Sequence, residues 1–599
     1  MNKPVLHFIL YLGMKLDLHT TNTSQELRTC KRKIASLALA RMILFLGIVA
    51  LTIIGLTEVR WFLFFFFPMA GLFIYLILLF NLQKDRQAFL QAVANMEDER
   101  QRRKERQLAD FDGGEAFKDK KHPFSNDLDL FGEHSLFQLI NHTTGDGGRK
   151  LLAQWMKAPI DPEKAQQRYT AIKELSTHAD FIKKFEATGK AFVKEEKSKK
   201  PFYDWLKMPN AWRTFYWLPF IAGPIGGIAF LGGWLYLDWP VAYLLIWMLA
   251  GTALLGLIFQ PLLVAFKNMP DEGDLKTYSI WAQELEQLDF QDPYLKSLQS
   301  PVLEGDYRAS AALKSLEQRS FMVQNRANMM YMIFDLLFLV DFGVLFSLEQ
   351  WKQKHASKVQ RWEEAFQEWQ VLVSLAAFTR EEALNCPVSW SDKMILNVSG
   401  LKHPLLSPSV CVGNDFNLSS EKQTVLLTGS NMSGKTTFMR TVGINMVLAN
   451  LGLSPFAKSY ESGTFWLFTS MRNTDNLGES VSSFYAELAR IKRLLDQAEK
   501  QQPVFYLLDE ILKGTNTTDR VMGSEALIRQ LADSHSKGII STHDIELAEL
   551  SDKIPSLVNY SFHSDIKDNE ILFDYKIKNG PCPSFNAHKL MELMGIRFQ

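Results

Sequence analysis

An apolar, β-prone run from Thr424 to Leu427 leads straight into Gly429, Ser430, Asn431, Met432, Ser433, Gly434, Lys435 and Thr436, with Thr437 opening a helical stretch. GxxxxGKT set between a strand and a helix is a phosphate cradle. The glycines let the backbone curl so that amide N–H groups face phosphate oxygens, and the helix start adds positive potential. Lys435 then reaches the β and γ phosphates, and Thr436 offers its hydroxyl to Mg2+.

About seventy residues on, the apolar run Val504 to Leu508 ends in Asp509 and Glu510. A carboxylate at a strand end beside a phosphate loop can hold Mg2+ through water, which is the role expected of Asp509. A second carboxylate can deprotonate the attacking water, which makes Glu510 the expected general base. A third strand, Gly538 to Thr542, stops just before His543. A lone histidine is usually an ordinary surface residue, but one placed beside the Asp509 strand is expected to sense the γ-phosphate. Between these landmarks Ser480, Ser482 and Ser483 precede a helical pattern running to Leu495. Two readings stand: the serines are plain N-caps, or the helix start they form binds the γ-phosphate of a neighbouring subunit.

At 599 residues the chain is too long for one core. Acidic and basic residues balance at 66 each, which removes any whole-chain argument for nucleic-acid binding. Cys30, Cys386, Cys411 and Cys582 are scattered, without CxxC spacing, so neither a disulfide framework nor a zinc site is supported. A reducing compartment fits best.

Apolar residues concentrate in runs at 42–57 and 61–82, and again at 215–237 and 239–266, each without a charge. Four such runs in two close pairs predict two transmembrane hairpins. Arg28, Lys31, Arg32, Lys33 and Arg41 precede the first pair and Lys84, Arg86, Arg102, Arg103, Lys104 and Arg106 follow it, whereas its tip carries only Arg60. The second pair repeats the bias, with Lys197, Lys199, Lys200, Lys207 and Arg213 before it, Lys267 after it and Asp238 at its tip. By the positive-inside rule both hairpins dip outward, with both termini cytoplasmic and the chain in the cell (inner or plasma) membrane. A weaker run at 330–347 contains Asp335 and Asp341, whose cost at bilayer depth predicts a core helix instead. The charged stretch at 83–121 reads as a solvated helix, with a basic nucleic-acid-binding helix as the sharper alternative.

The order and spelling of the C-terminal elements resemble the MutS ATPases of DNA mismatch repair. The resemblance lies in GSNMSGKTT at the phosphate loop, SSFYAEL at the signature helix, LLDEILKGTNTTD at the carboxylate strand and STHDIEL at the sensor strand. It extends to Leu401, Lys402, His403 and Pro404 upstream, to YKIKNGPCPSF downstream, and more weakly to residues 128–176. It implies ATP as nucleotide, with Asn431 among the residues that bind it, Tyr575 stacking on adenine, Ser482 acting in trans and an obligatory homodimer. Ser430 stands in place of the usual proline, Leu512 and Lys513 in place of a Gly-Arg pair, and Asn586 in place of a glycine. No mismatch-reading wedge domain is legible.

The expected architecture is an α/β ABC-type P-loop ATPase domain at the C-terminus, an all-α MutS-like core and lever bundle, and four transmembrane helices. Along the chain this gives an N-terminal cytoplasmic segment (1–34), a first hairpin (35–82), a charged linker (83–125), a helical core (126–212), a second hairpin (213–266), a second core and lever part (267–384) and the ATPase domain (385–599). Two functions follow from different classes. One is a membrane-anchored ATPase coupled to mismatched or branched DNA; the other is an ATP-driven membrane-remodelling or transport-like machine that binds no DNA.

Overall fold

The computed structural model describes residues 16–20, 22–57, 65–193, 199–304, 308–327, 329–430, 432–472, 483–500, 503–567 and 570–583. The chain divides into two compact units. One holds the chain up to residue 98 together with 144–146 and 179–370; the other holds 99–143, 147–178 and 371–599.

The first unit is helical. Its helix Thr23–Thr57 carries the first apolar run, and Phe66–Lys104 carries most of the second and continues without a break into the charged stretch. The two lie side by side, with Phe45 against Phe73 and the Arg41 guanidinium over the Phe80 ring. The tip of this hairpin falls outside the described residues. A bundle with a buried aromatic core forms elsewhere in the unit, where Trp281 stacks on Phe185 at 4.2 Å and donates its indole N–H to Phe185 O. Burial of large aromatic surface drives such a core, and the indole hydrogen bond removes the penalty of hiding a donor.

The expectation of four membrane helices is corrected. Two described helices, Thr23–Gly55 and Thr214–Tyr236, are long and apolar enough to cross a membrane by themselves. The run at 239–266 is broken into Val241–Gly256 and Phe259–Asn268, bent by 60°. The run at 330–347 is likewise not one core helix: Tyr331–Phe338 and Val340–Glu382 meet at 91°. Counting each bent pair as one span gives up to four, but a different four from those the runs predict, because 61–82 is not among them.

The second bend has a local cause. Leu339 takes a left-handed φ of 52°, Asp335 Oδ1 accepts the Asp341 N–H at 2.8 Å, and the Asp341 carboxylate takes Arg326 and the Tyr331 hydroxyl. Thus both aspartates are held by partners at the corner. The short helix before the corner packs between Trp217–Tyr236 and Val241–Gly256. Trp247 Nε1 donates to Leu337 O at 2.8 Å, which satisfies a carbonyl left open at the helix end. At Gly227 a Cβ would collide with that same carbonyl, so the GPIGG segment is the small-residue surface that lets the helix dock.

The second unit is built on a six-stranded sheet of β4 (Thr424–Gly429), β6 (Trp466–Ser470), β7 (Val504–Asp509), β8 (Ser536–Thr542), β9 (Leu557–Lys567) and β10 (Glu570–Asn579). The order is β10-β9-β4-β8-β7-β6, parallel except for the antiparallel β9–β10 pair. Helices cover the sheet, so Val425 to Leu427 and Val504 to Leu508 are wholly buried, as continuous apolar parallel strands require. A smaller sheet in the order β1-β5-β2-β3 joins β1 (Val388–Ser391), β2 (Leu396–Leu401), β3 (Asn414–Leu418) and β5 (Ser459–Gly463). Residues 123–130 dock on the β6 edge through Asp127, which accepts from the Thr469 hydroxyl at 2.7 Å and the Arg490 guanidinium at 3.1 Å.

Candidate nucleotide site

The parallel register brings the polar strand ends together. β8 lies between β4 and β7, pairing Thr542 with Thr428 and Ser541 with Asp509. The phosphate loop, the two carboxylates and His543 therefore emerge at one edge, beyond the carboxyl ends of the strands, where open α/β sheets bind ligands.

Gly429 and Gly434 have φ of 152° and 108°, and Gly434 caps the helix Lys435–Asn450. Only glycine meets such angles without strain. Lys435 is buried, and its Nζ donates to Gly429 O at 2.8 Å and Ser430 O at 3.1 Å. Burial lowers the lysine pKa, with the nearby Glu510 and Asp509 charges acting the other way. The Ser430 hydroxyl oxygen is buried without a partner, a polar atom that a ligand oxygen would satisfy. Asn431 lies outside the described residues.

Asp509 bridges two hydroxyls: Thr436 donates to Oδ2 at 2.6 Å, and Ser541 donates to Oδ1. Next along the chain, Glu510 adopts φ of 49°, a left-handed conformation that costs a non-glycine residue about 1–3 kcal/mol. Its two carboxylate oxygens are both engaged, Oε1 by His543 Nε2 at 2.7 Å and Oε2 by Lys513 Nζ. The His543 hydrogen bond, helped by Lys513, holds the carboxyl down to about 2 against the opposing effect of burial. Glu510 is thus ionised but a weak base while this clamp lasts.

A cavity of about 510 Å3 opens beside the loop, its lining including Met432, Ser433, Thr437, Glu510, Tyr575, Leu401, His403, Cys411 and Asn414. Tyr575 lies beside Gly434, half exposed and with room to meet a base. His403, also in the lining, is held down to about 4 by burial, so it presents a neutral ring at physiological pH. Among the described residues no group of three or more His, Cys, Asp or Glu side chains gathers as a metal cage. The Thr436 hydroxyl and Asp509 carboxylate are hard oxygen donors, which suits Mg2+ held jointly with phosphate oxygens.

Of the signature serines, Ser480 and Ser482 lie outside the described residues, and Ser483 opens the helix Ser483–Ala498. Residues missed by motif reading include Ser541, whose place beside Asp509 follows from strand register, and Lys513, visible only as a departure in spelling. Arg103, near the end of the charged helix, donates to Asn141 O, and Arg106, just beyond it, pairs with Glu382 through both terminal guanidinium nitrogens. These two basic residues are turned inward, not presented to a polyanion.

Sheet, loop and flanking helices together define an α/β domain. Residues 425–596 match the family model described as MutS domain V. The chain is 29% identical over 247 residues to the DNA mismatch repair protein MutS of Staphylococcus haemolyticus (strain JCSC1435), covering 40% of this chain and 28% of that protein. It is 32% identical over 228 residues to the protein of that name from Protochlamydia amoebophila (strain UWE25), covering 36% and 26%. With that from Geobacillus thermodenitrificans (strain NG80-2) it shares 27% over 263 residues, covering 43% and 29%. Over this C-terminal stretch the chain is similar to the MutS proteins. It spans less than a third of the length of these relatives.

Proposed function

We propose that this chain is a membrane-anchored, MutS-type ATPase that hydrolyses ATP where two copies meet, and that hydrolysis is coupled to DNA. The observation that carries the reading is the convergence of Lys435, Thr436, Asp509, Glu510 and His543 at one strand edge. Each has the chemistry that hydrolysis asks of it.

Lys435 exchanges its loop carbonyls for β- and γ-phosphate oxygens, and the loop amides and helix start add fixed positive potential. Thr436 and Asp509 are the residues that would hold Mg2+, which when bound neutralises charge on the transferring phosphoryl group. Glu510, once loosened from its clamp, accepts the proton of the attacking water, and His543 keeps the carboxylate aimed and then meets the γ-phosphate. Tyr575 stacks on adenine. The serines 480, 482 and 483, at the start of the signature helix, complete the site of the second copy, so the homodimer is the active form.

Membrane anchoring is supported by the two long apolar helices, whose outward side chains are exposed, and by the basic flanks. Coupling to DNA is supported by the name the relatives carry, DNA mismatch repair protein. The test is ATP hydrolysis by the full chain in detergent at low salt, with homoduplex, mismatched or branched DNA added. Stimulation by one of them and salt-sensitive binding is the expected result. Absence of both binding and stimulation would remove DNA and leave the membrane machine as the reading.

A further inference from the structure

The helix Ser483–Ala498 carries a second acidic residue near the catalytic loop, and its partner is not a cation. Glu487 Oε1 accepts the Leu512 backbone N–H at 2.5 Å. Among the described residues Glu487 makes no ion pair, although burial pushes its carboxyl up and Lys513 lies near enough to pull it back. One turn earlier on the same helix, Phe484 packs so tightly against Gly514 that a Cβ there would lie 2.6 Å from Phe484 Cβ. Thus the first turn of the helix grips the segment 510–514 at two points.

That segment is not regular structure. Glu510 and Leu512 have φ of 49° and 59°, left-handed values that persist only where surroundings impose them. Among the described residues the Leu512 amide has no backbone acceptor, and the Glu487 carboxylate provides the one it uses. Ile511, between the two strained residues, is buried, and Lys513, between Leu512 and Gly514, holds the Glu510 carboxylate. A shift of the helix start therefore acts on the loop through Glu487 and on the Glu510 carboxylate through the loop.

We propose that Glu487 is the positioning residue that couples the two halves of the composite site: seating of its helix start on the nucleotide of a second copy draws the Leu512 amide with it and frees Glu510 of its own subunit from the His543–Lys513 clamp. The proposal rests on the dimer-interface reading above. It explains why a carboxylate is buried against an amide here: an acceptor on the trans-acting helix, bonded to the cis catalytic loop, makes hydrolysis in one subunit depend on engagement with the other.

The experiment uses the full chain with Glu487→Leu, which removes the acceptor, and Glu487→Gln, which keeps an oxygen for Leu512. ATP affinity is read with a fluorescent nucleotide, ATP-dependent dimerisation by light scattering, and kcat across a range of protein concentrations. Wild-type kcat per chain should rise with concentration. Glu487→Leu should bind ATP and dimerise like wild type yet lose about tenfold or more in kcat at saturating protein, as misplaced catalytic groups do. Glu487→Gln should restore kcat to within about threefold.

Wild-type kcat in Glu487→Leu, with a concentration-dependent wild type, overturns the proposal alone. Equal losses in the Leu and Gln variants overturn it too, since charge and not the amide contact would then matter. So does joint loss of binding, dimerisation and kcat in the Leu variant, which is the mark of a structural role. A wild-type kcat that does not depend on concentration removes the dimer reading as well.

Discussion

The C-terminal sheet and the apolar helices of the other unit place the same kinds of side chain in opposite positions. In the sheet, Leu426, Leu427, Leu507 and Leu508 are fully buried and polar groups stand at the strand ends. In the helices, Leu46 is 59% exposed and Leu218 76%, while Asp341 is 1% exposed and paired at a bend. The first arrangement is stable in water because apolar area leaves it. The second is stable where the surroundings are themselves apolar and the polar groups must find one another inside. On the proposed membrane-anchored reading, the chain meets both surroundings.

That contrast can be broken at either end. The largest effect is expected at the phosphate loop, where Lys435→Ala removes the buried cation that meets the phosphates; ATP affinity by equilibrium titration should fall roughly 100-fold, in line with the ~2–5 kcal/mol cost of truncating a buried charge partner. Near-wild-type affinity would mean that the loop does not cradle phosphate.

Gly227→Leu comes next and strikes only the apolar side. A side chain there collides with the Leu337 carbonyl, and overpacking costs about 1–3 kcal/mol. The midpoint of thermal unfolding of the helical unit should drop while ATP affinity stays unchanged. A silent substitution would mean that the short helix does not dock on that glycine surface.

Tyr575→Ala should weaken ATP by about 1 kcal/mol, the scale of one aromatic stacking contact, with kcat largely preserved. Equal losses for ATP and inorganic triphosphate would exclude stacking on the base.

The smallest effect concerns pH. Glu510 has a depressed folded pKa of about 2, so the stability its clamp contributes is fully present above the ordinary glutamate value near 4.3 and is lost as pH falls through that window toward 2. Lys513→Met removes part of the clamp and should narrow the window from below, seen as slightly weaker dependence of unfolding on acid between about pH 4 and 2. At pH 7 the variant should keep its carboxylate ionised and its nucleotide affinity intact.

The two regions also differ in how much of each could be read from residue order. The strands at 424–427, 504–508 and 538–542 fall within β4, β7 and β8, because a strand buried on both faces must be a continuous apolar run and its polar terminus must carry the chemistry. Strand register then explains what spelling could not: Ser541 reaches Asp509 because β8 stands next to β7. The His543–Lys513 clamp was not legible, since it depends on left-handed turns at Glu510 and Leu512, where sequence favours neither. In the apolar runs, hydropathy marks which segments avoid water but not whether they are straight. The break at Leu339 is set by tertiary partners, Trp247 on Leu337 O and the Asp335–Asp341 corner, that periodicity does not encode; the break after Gly256 lies just before Pro261, which has no N–H for the preceding turn.

The account turns on Glu510 as the base of an ATP-hydrolysing site, and Glu510→Gln measures this most directly. The full chain carrying it should bind ATP with Mg2+ at wild-type affinity and accumulate as an ATP-bound dimer, while single-turnover hydrolysis slows by about 100-fold or more, the contribution typical of a general base. Hydrolysis at the wild-type rate in that variant, with ATP bound, would contradict the account.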